Sequence, residues 1–310
     1  MYNHCCIFKL LDNKIPEIVQ GSLNLSKFFP KKRYGQNFLI DKSYVDKIVQ
    51  IIDNESPRHV IEIGPGRGEI TISLAKKVER VTAIEIDTDL VKLIEEKIKS
   101  ADLNNIRLIR GDVLNLDLND LIEDATIVVG NLPYNIATVI ISRLEMLRYK
   151  IRKAILMVQK EVAERLVAVP GSKAYGSLSI FTQYNCRPKM LLLLKGTCFW
   201  PRPEVDSALV ELDYLFPYTR RALDEKLFRY ITMEIFKHRR KTILNCLSHV
   251  GFHMPRHMLE EIILRSGIDP HLRPERLSID QFLELSDQMY LLGLGGSISS
   301  QPQQDEAQDP

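Results

Sequence analysis

The densest chemistry in the chain lies in Val128-Val129-Gly130-Asn131-Leu132-Pro133-Tyr134-Asn135. Apolar and small residues suited to a buried strand end abruptly in Asn-Leu-Pro-Tyr. A strand running into a loop is where open α/β sheets place their ligand sites. The amide, the rigid proline and the aromatic can together grip a flat base that bears an exocyclic amine. The Asn131 side chain can accept a hydrogen bond from that amine, and so can a carbonyl freed at the bend, that of Leu132. Pro133 fixes φ and holds the bend open. Tyr134 offers a ring face for stacking, worth about 1–3 kcal/mol per base. A turn with a packed tyrosine would use the same residues for structure alone.

Three further signals precede this loop at strand ends. Glu62-Ile63-Gly64-Pro65-Gly66-Arg67-Gly68 follows a short apolar run and opens a helix. Its G-x-G-x-G spacing is close to, but distinct from, the dinucleotide fingerprint G-x-G-x-x-G. Glycines here let a ligand approach backbone that a Cβ would shield. The next strand ends in Glu85-Ile86-Asp87, where a carboxylate can accept both hydroxyls of a ribose. The third is followed by Gly111-Asp112, where a carboxylate could accept from an adenine amino group. Each acid alone reads equally well as a solvated strand end or a helix cap. The ordered series of all four signals is what points to a nucleoside-containing ligand.

Strand–helix alternation must position these loops. A helix is expected over 41–52, where Val45, Ile48, Val49 and Ile52 have helical spacing. Strands are expected over 59–63, 81–86, 106–110, 126–130 and 153–158, and helices over 69–77, 88–99 and 135–149. Such repetition implies a parallel sheet with helices on both faces. The runs 190–195 and 207–214 read as an antiparallel pair at the sheet edge. From about 222 to 293 only helices are expected, broken at Gly251, Pro255, Gly267, Pro270 and Pro274. The domain reading is an N-terminal extension (1–30), an α/β domain that carries the four signals (31–216), a small helical domain (217–294) and a disordered tail (295–310).

Of the 310 residues, 45% are hydrophobic and 26% charged, as in ordinary globular proteins. No apolar run reaches the roughly 20 residues of a membrane span, and no membrane partner is expected. The N-terminal apolar patch is closed by Asp12 and Lys14 with no small-residue cleavage site after it, so no signal peptide is expected. Five cysteines (Cys5, Cys6, Cys186, Cys198, Cys246) without a C-x-x-C spacing argue against a disulfide framework or a zinc site and favour the cytoplasm. The net charge is only +2, yet 220–241 holds eight Lys/Arg against three Asp/Glu. Lys31-Lys32-Arg33 is a second basic cluster. Local positive charge on a nearly neutral chain is the footprint of a polyanion partner; a solvated helix face would look the same.

The series of strand-end signals is similar to that of S-adenosylmethionine-dependent methyltransferases, and Asn-Leu-Pro-Tyr resembles the N6-adenine kind. Tyr34-Gly35-Gln36-Asn37-Phe38-Leu39, Val158-Gln159-Lys160-Glu161-Val162-Ala163, Tyr175-Gly176-Ser177-Leu178-Ser179 and Phe199-Trp200-Pro201-Arg202-Pro203-Glu204-Val205-Asp206-Ser207 resemble the rRNA adenine dimethyltransferases over about residues 31–290. Within that family, Val162-Ala163-Glu164-Arg165-Leu166, Phe236-Lys237-His238-Arg239-Arg240-Lys241-Thr242, Gly267-Ile268-Asp269-Pro270 and Arg276-Leu277-Ser278 resemble the small-subunit branch (the KsgA type) more than the large-subunit, macrolide-resistance branch (the Erm type). His238 departs from the pattern, which usually has Gln or another polar residue there.

The resemblance implies a Rossmann-like α/β fold with a mostly parallel seven-stranded sheet and a small C-terminal helical domain. It implies a monomer that uses S-adenosyl-L-methionine to dimethylate two adjacent adenosines near the 3' end of small-subunit rRNA within the pre-30S particle. Cofactor contacts are implied at Asn37, Leu39, Gly64, Glu85, Asp112 and Asn131. The catalytic set is Asn131, Leu132, Pro133, Tyr134 and Phe199, with Phe199 stacking on the base opposite Tyr134, although core packing would also explain Phe199. Lys31, Lys32, Arg33, Arg220, Arg221, Lys237, Arg239, Arg240 and Lys241 are expected to hold RNA phosphates. No metal is expected, because the electrophile is a methyl group on a sulfonium. The rivals are the Erm-type activity, a DNA adenine methyltransferase, a nicotinamide-dependent oxidoreductase and an assembly or transcription factor that acts by binding.

Overall fold

A computed structural model describes residues 30–252 and 254–294. The expected N-terminal extension, apart from its last residue, and the expected tail lie outside the described residues, as does the side chain of Lys32. The chain runs β1 (Phe38–Leu39), α1 (Lys42–Asp53), β2 (His59–Ile63), α2 (Glu69–Ala75), β3 (Arg80–Glu85), α3 (Thr88–Ser100), β4 (Ile106–Arg110), β5 (Thr126–Asn131) and α4 (Ala137–Met146). It continues through β6 (Ile151–Gln159), α5 (Lys160–Leu166), α6 (Ser177–Asn185), β7 (Arg187–Leu194), β8 (Phe199–Trp200) and β9 (Ser207–Asp213). Four helices follow: α7 (Glu225–Lys237), α8 (Ile243–Leu247), α9 (Arg256–Arg265) and α10 (Ile279–Leu291). Among the described residues no helix is long and apolar enough to cross a membrane.

Seven strands form one sheet in the order β4-β3-β2-β5-β6-β9-β7. The first five are parallel, and β9 runs antiparallel to both β6 and β7. Strand order reverses between β2 and β5, which opens a crevice beyond their carboxyl ends. The pair expected at the sheet edge therefore forms its last two strands. Only β7 is the edge, and β9 is fully paired inside it. The period of two along each strand divides the core between the faces. Ile61, Ile63 and Val128 face one apolar layer with Ile140, Ile141 and Leu144 of α4. Val60, Ile127 and Val129 face the other with Val45, Ile48 and Ile52 of α1.

Local chemistry explains the helix starts. The Asp41 carboxylate accepts the Ser43 N–H at 2.9 Å, and Ser278 with Gln281 makes a reciprocal capping box at α10. The breaks expected in the C-terminal region fall between helices, with Gly251 and Gly267 at φ +83° and +69°. This helical layer is not built from the C-terminal helices alone. Its core takes in Tyr175, Ile180, Phe181 and Tyr184, and the Tyr184 ring lies 4.9 Å from that of Phe228. α5 and α6 are additions to the elements expected from the sequence.

Candidate active site

The crevice at the switch point is a cavity of about 340 Å³. Its walls are residues 33–39, the 64–67 turn, and the loops that leave β3, β4 and β5. Gly64, Gly66 and Gly68 all have positive φ (68°, 56° and 78°), so the turn needs glycine for its backbone as well as for its open surface. Gly130 is required for another reason. A Cβ there would lie 2.7 Å from the Ile63 carbonyl oxygen, which would push β5 from β2 just before Asn131.

Asn37, Leu39, Gly64, Glu85, Asp112, Asn131, Leu132, Pro133 and Tyr134 all line this cavity. The Asn131 Nδ2 donates to the Asn37 carbonyl at 2.7 Å. That bond assigns the amide orientation and leaves Oδ1 as a free acceptor. The Leu132 N–H donates to the Met157 carbonyl, and its own carbonyl accepts no hydrogen bond among the described residues. Two acceptors one residue apart thus stand where the strand ends. The Tyr134 hydroxyl is tethered to Ser207 Oγ at 2.9 Å, which fixes the ring, and burial pushes that hydroxyl's pKa up.

Glu85 is buried and accepts the Gly66 N–H at 3.2 Å and the Asp87 N–H at 2.9 Å. Burial pushes its pKa up, and these backbone donors work against the shift. Asp112 accepts the Leu114 N–H at 2.9 Å and the Asn115 amide at 3.0 Å. These donors fix both acids at the strand ends without neutralising them.

Phe199 lies apart from the other residues of the expected catalytic set. It is 3% exposed, pairs in register with Leu39 between β8 and β1, and sits in the core layer with Leu194 and Leu209, outside the cavity wall.

The basic residues differ in the partners the fold gives them. Lys31 is not a free phosphate ligand, because its ammonium contacts Asp87 at 2.6 Å and Asp89 at 2.7 Å. Arg33 lines the cavity with its guanidinium 4.6 Å from the Tyr34 ring centre. Arg220 is held by Glu284 at 2.7 Å and Asp287 at 2.8 Å. Arg221 is bound to Glu225 at 2.6 Å and stacked on Tyr184, and Lys237 meets Glu234 at 2.5 Å. Arg239 donates to the Lys173 carbonyl and Lys241 lies 3.0 Å from His249 Nε2, and neither meets a carboxylate among the described residues. Arg240 is exposed and has no partner among the described residues. The cations of 220–241 without a carboxylate partner among the described residues are therefore Lys226 and the run 239–241.

Four residues in or beside the cavity were not singled out from sequence: Gln36, Glu62, Arg67 and Asp87. Glu62 is 2% exposed, accepts the Thr71 hydroxyl at 2.5 Å, and is pushed up to about 7 by burial. The signal for it was a lone carboxylate inside an otherwise apolar strand. The Arg67 Nε is buried without a partner among the described residues. Asp87 begins α3, and its carboxylate accepts from Lys31, Gln36 and the Asp89 N–H.

The comparisons agree with this geometry. Residues 28–290 match the family model described as "Ribosomal RNA adenine dimethylase". The "Ribosomal RNA small subunit methyltransferase A" of Clostridium botulinum (strain Loch Maree / Type A3) is 40% identical over 270 residues, covering 86% of this chain and 97% of that protein. The protein of the same name from Clostridium perfringens (strain SM101 / Type A) is 40% identical over 283 residues, covering 91% and 96%. Two solved structures share the fold. A dimethyladenosine transferase from Plasmodium falciparum is 24% identical with a TM-score of 0.68 over 82% of this chain and 97% of its own. The 23S rRNA methyltransferase ErmE is 22% identical with a TM-score of 0.62 over 82% and 99%. With the glycine turn, the strand-end acids and the Asn-Leu-Pro-Tyr loop lining one cavity, and a family match across nearly the whole described chain, this protein belongs to the ribosomal RNA adenine dimethylases.

Proposed function

We propose that this protein dimethylates the N6 amines of two adjacent adenosines near the 3' end of small-subunit rRNA, within the pre-30S particle, and that S-adenosylmethionine is the methyl donor. The observation that carries the reading is the Asn131 carboxamide. Its nitrogen is engaged by Asn37, and its oxygen stands free one residue from the free Leu132 carbonyl in the same cavity as Glu85 and Asp112.

The cavity fits that donor. Glu85 and Asp112, both in the cavity wall, are assigned to its ribose and its adenine, and Gly64 leaves a surface that a side chain would fill. Arg67 in the cavity wall supplies a cation for a carboxylate, and Glu62 an acceptor for an ammonium group. Once bound there, S-adenosylmethionine supplies an electrophilic methyl on a sulfonium.

The protein's own residues prepare the amine. Asn131 Oδ1 and the Leu132 carbonyl accept the two N6 hydrogens, which draws the lone pair out of the ring and towards the incoming methyl. Pro133 holds the bend, and the tethered Tyr134 ring stacks on the base, which must be extruded from any helix to arrive. Alignment then supplies several kcal/mol, because positioning alone lowers such barriers. No histidine lines the cavity among the described residues, and the proton lost from the amine passes to solvent. Arg239, Arg240 and Lys241 hold backbone phosphates, which positions the RNA without reading its sequence.

The small-subunit substrate is favoured over the large-subunit one by 40% identity to the Clostridium small-subunit enzymes against 22% to ErmE. The test supplies labelled S-adenosylmethionine to unmodified small subunits, large subunits and free rRNA, followed by nucleoside mass spectrometry. N6,N6-dimethyladenosine only in small-subunit material is the expected result. Label on large-subunit rRNA would move the protein to the resistance activity. No transfer with the cofactor still bound would leave a binding factor.

A further inference from the structure

The 31–39 segment touches both ends of the cavity. Lys31 Nζ binds Asp87 at 2.6 Å, and Gln36 Nε2 donates to the other Asp87 oxygen at 2.9 Å. The strap is also closed on itself, because the Lys31 N–H donates to Gln36 Oε1 at 2.7 Å. Asp87 is 1% exposed, and its N–H donates to Glu85 at 2.9 Å. The latch therefore shares a turn with the acid assigned to the ribose. Farther along the strap, the Asn37 carbonyl takes the Asn131 amide, 94 residues away in sequence. Leu39 then pairs with Phe199 in the short β1–β8 ladder.

We propose that Lys31, Gln36 and Asp87 form a latch that fixes the 31–39 strap as one wall of the cavity and, through the Asn37 carbonyl, sets the Asn131 carboxamide for transfer. They are positioning residues, and the proposal rests on the methyl-transfer reading above. Two consequences follow from the connectivity. Release of the spent cofactor requires the strap to yield, so the latch governs residence time. A loosened strap also frees the Asn131 amide to rotate, so transfer slows even when cofactor is saturating. Asp87 opens α3 through its bond to the Asp89 N–H, a role that asparagine can also fill. The charge it offers to Lys31 is a separate function that asparagine cannot supply.

The experiment compares the full chain with Lys31→Met, Lys31→Arg, Gln36→Leu, Asp87→Asn and the Lys31→Met/Asp87→Asn pair. It reads S-adenosylhomocysteine affinity by calorimetry, single-turnover transfer to small subunits at saturating donor, melting temperature, and hydrogen exchange of the 33–39 amides without ligand. Lys31→Met, which removes the ammonium from Asp87 and Asp89, and Gln36→Leu, which removes the bonds to Asp87 and the Lys31 N–H, are each expected to weaken S-adenosylhomocysteine about tenfold. They should also slow transfer at saturation and speed exchange of the strap. Lys31→Arg should restore all three, and the double variant should be no worse than the poorer single one. Unchanged affinity, saturated rate and exchange would overturn the latch, as would losses that track melting temperature alone. If the unaltered protein bound no S-adenosylhomocysteine, the methyl-transfer reading would fall. The ligand-free exchange data would still decide whether the latch holds the strap.

Discussion

Charged residues behave differently on the two sides of this molecule. In the cavity, Glu85 and Asp112 meet backbone N–H groups that hold them in place and leave their charge for a ligand. In the helical layer, Arg220 and Arg221 meet carboxylates that cancel them. The lesson concerns what spacing encodes. A residue directly after a strand is placed by that strand, so its position in sequence is close to its position in space. A surface cation is placed by whichever acid the fold brings near it. For Arg220 that acid is 64 or 67 residues away.

Variants can break or sharpen this contrast. Asn131→Ala should cost about a thousandfold in transfer, the scale of losing an oriented polar group at a reacting centre. Cofactor binding should remain measurable by calorimetry, and full activity would end the assignment.

Glu62→Gln tests a buried acid with no backbone clamp. Its folded pKa is about 7 against an ordinary 4.5, so between those values the folded state keeps a proton that the unfolded chain releases. Stability therefore falls as pH rises from about 4.5 to 7, and the penalty is complete above 7. The glutamine variant lacks the penalty. By thermal melts at pH 8 it should be the more stable by on the order of 3 kcal/mol, with the gap closing towards pH 4.5. Parallel melting curves across pH would count against the buried, protonated state.

Glu85→Ala should weaken cofactor binding about tenfold or more. An unchanged dissociation constant would remove the ribose role.

The smallest effects compare two arginines. Arg240→Ala should lower the salt slope of RNA binding by about one and leave the melting temperature alone. Arg220→Ala should do the reverse, lowering the melting temperature by about 2–4 °C with the slope intact. The opposite pattern would mean that the pairing in the structure does not govern which cations meet RNA.

Much of the fold was legible because it is local. The strands at 59–63 and 106–110 lie where expected, and the stripe Val45, Ile48, Val49, Ile52 is buried as its spacing requires. Gly64, Glu85, Asp112 and 131–134 were legible because they stand at or just after strand ends, whereas Asn37 and Leu39 came from the family resemblance alone. Phe199 was not, because whether an aromatic faces a ligand or the core depends on its neighbour across β1 and β8. The roles of Lys31 and Arg220 were hidden for the same reason, since no nearby residue in sequence announces their acids.

By itself, then, the sequence determined the strands and helices of the parallel sheet and which side chains stand at its strand ends, since periodicity and turn chemistry act over a few residues, while β1, β8, α5 and α6 went unread. Only the tertiary structure decided that β9 lies inside β7, that Asn37 grips Asn131 and that Lys31 closes on Asp87. Each of these is a contact between residues far apart in the chain, and such contacts exist only once the order of strands in the sheet has brought the loops together.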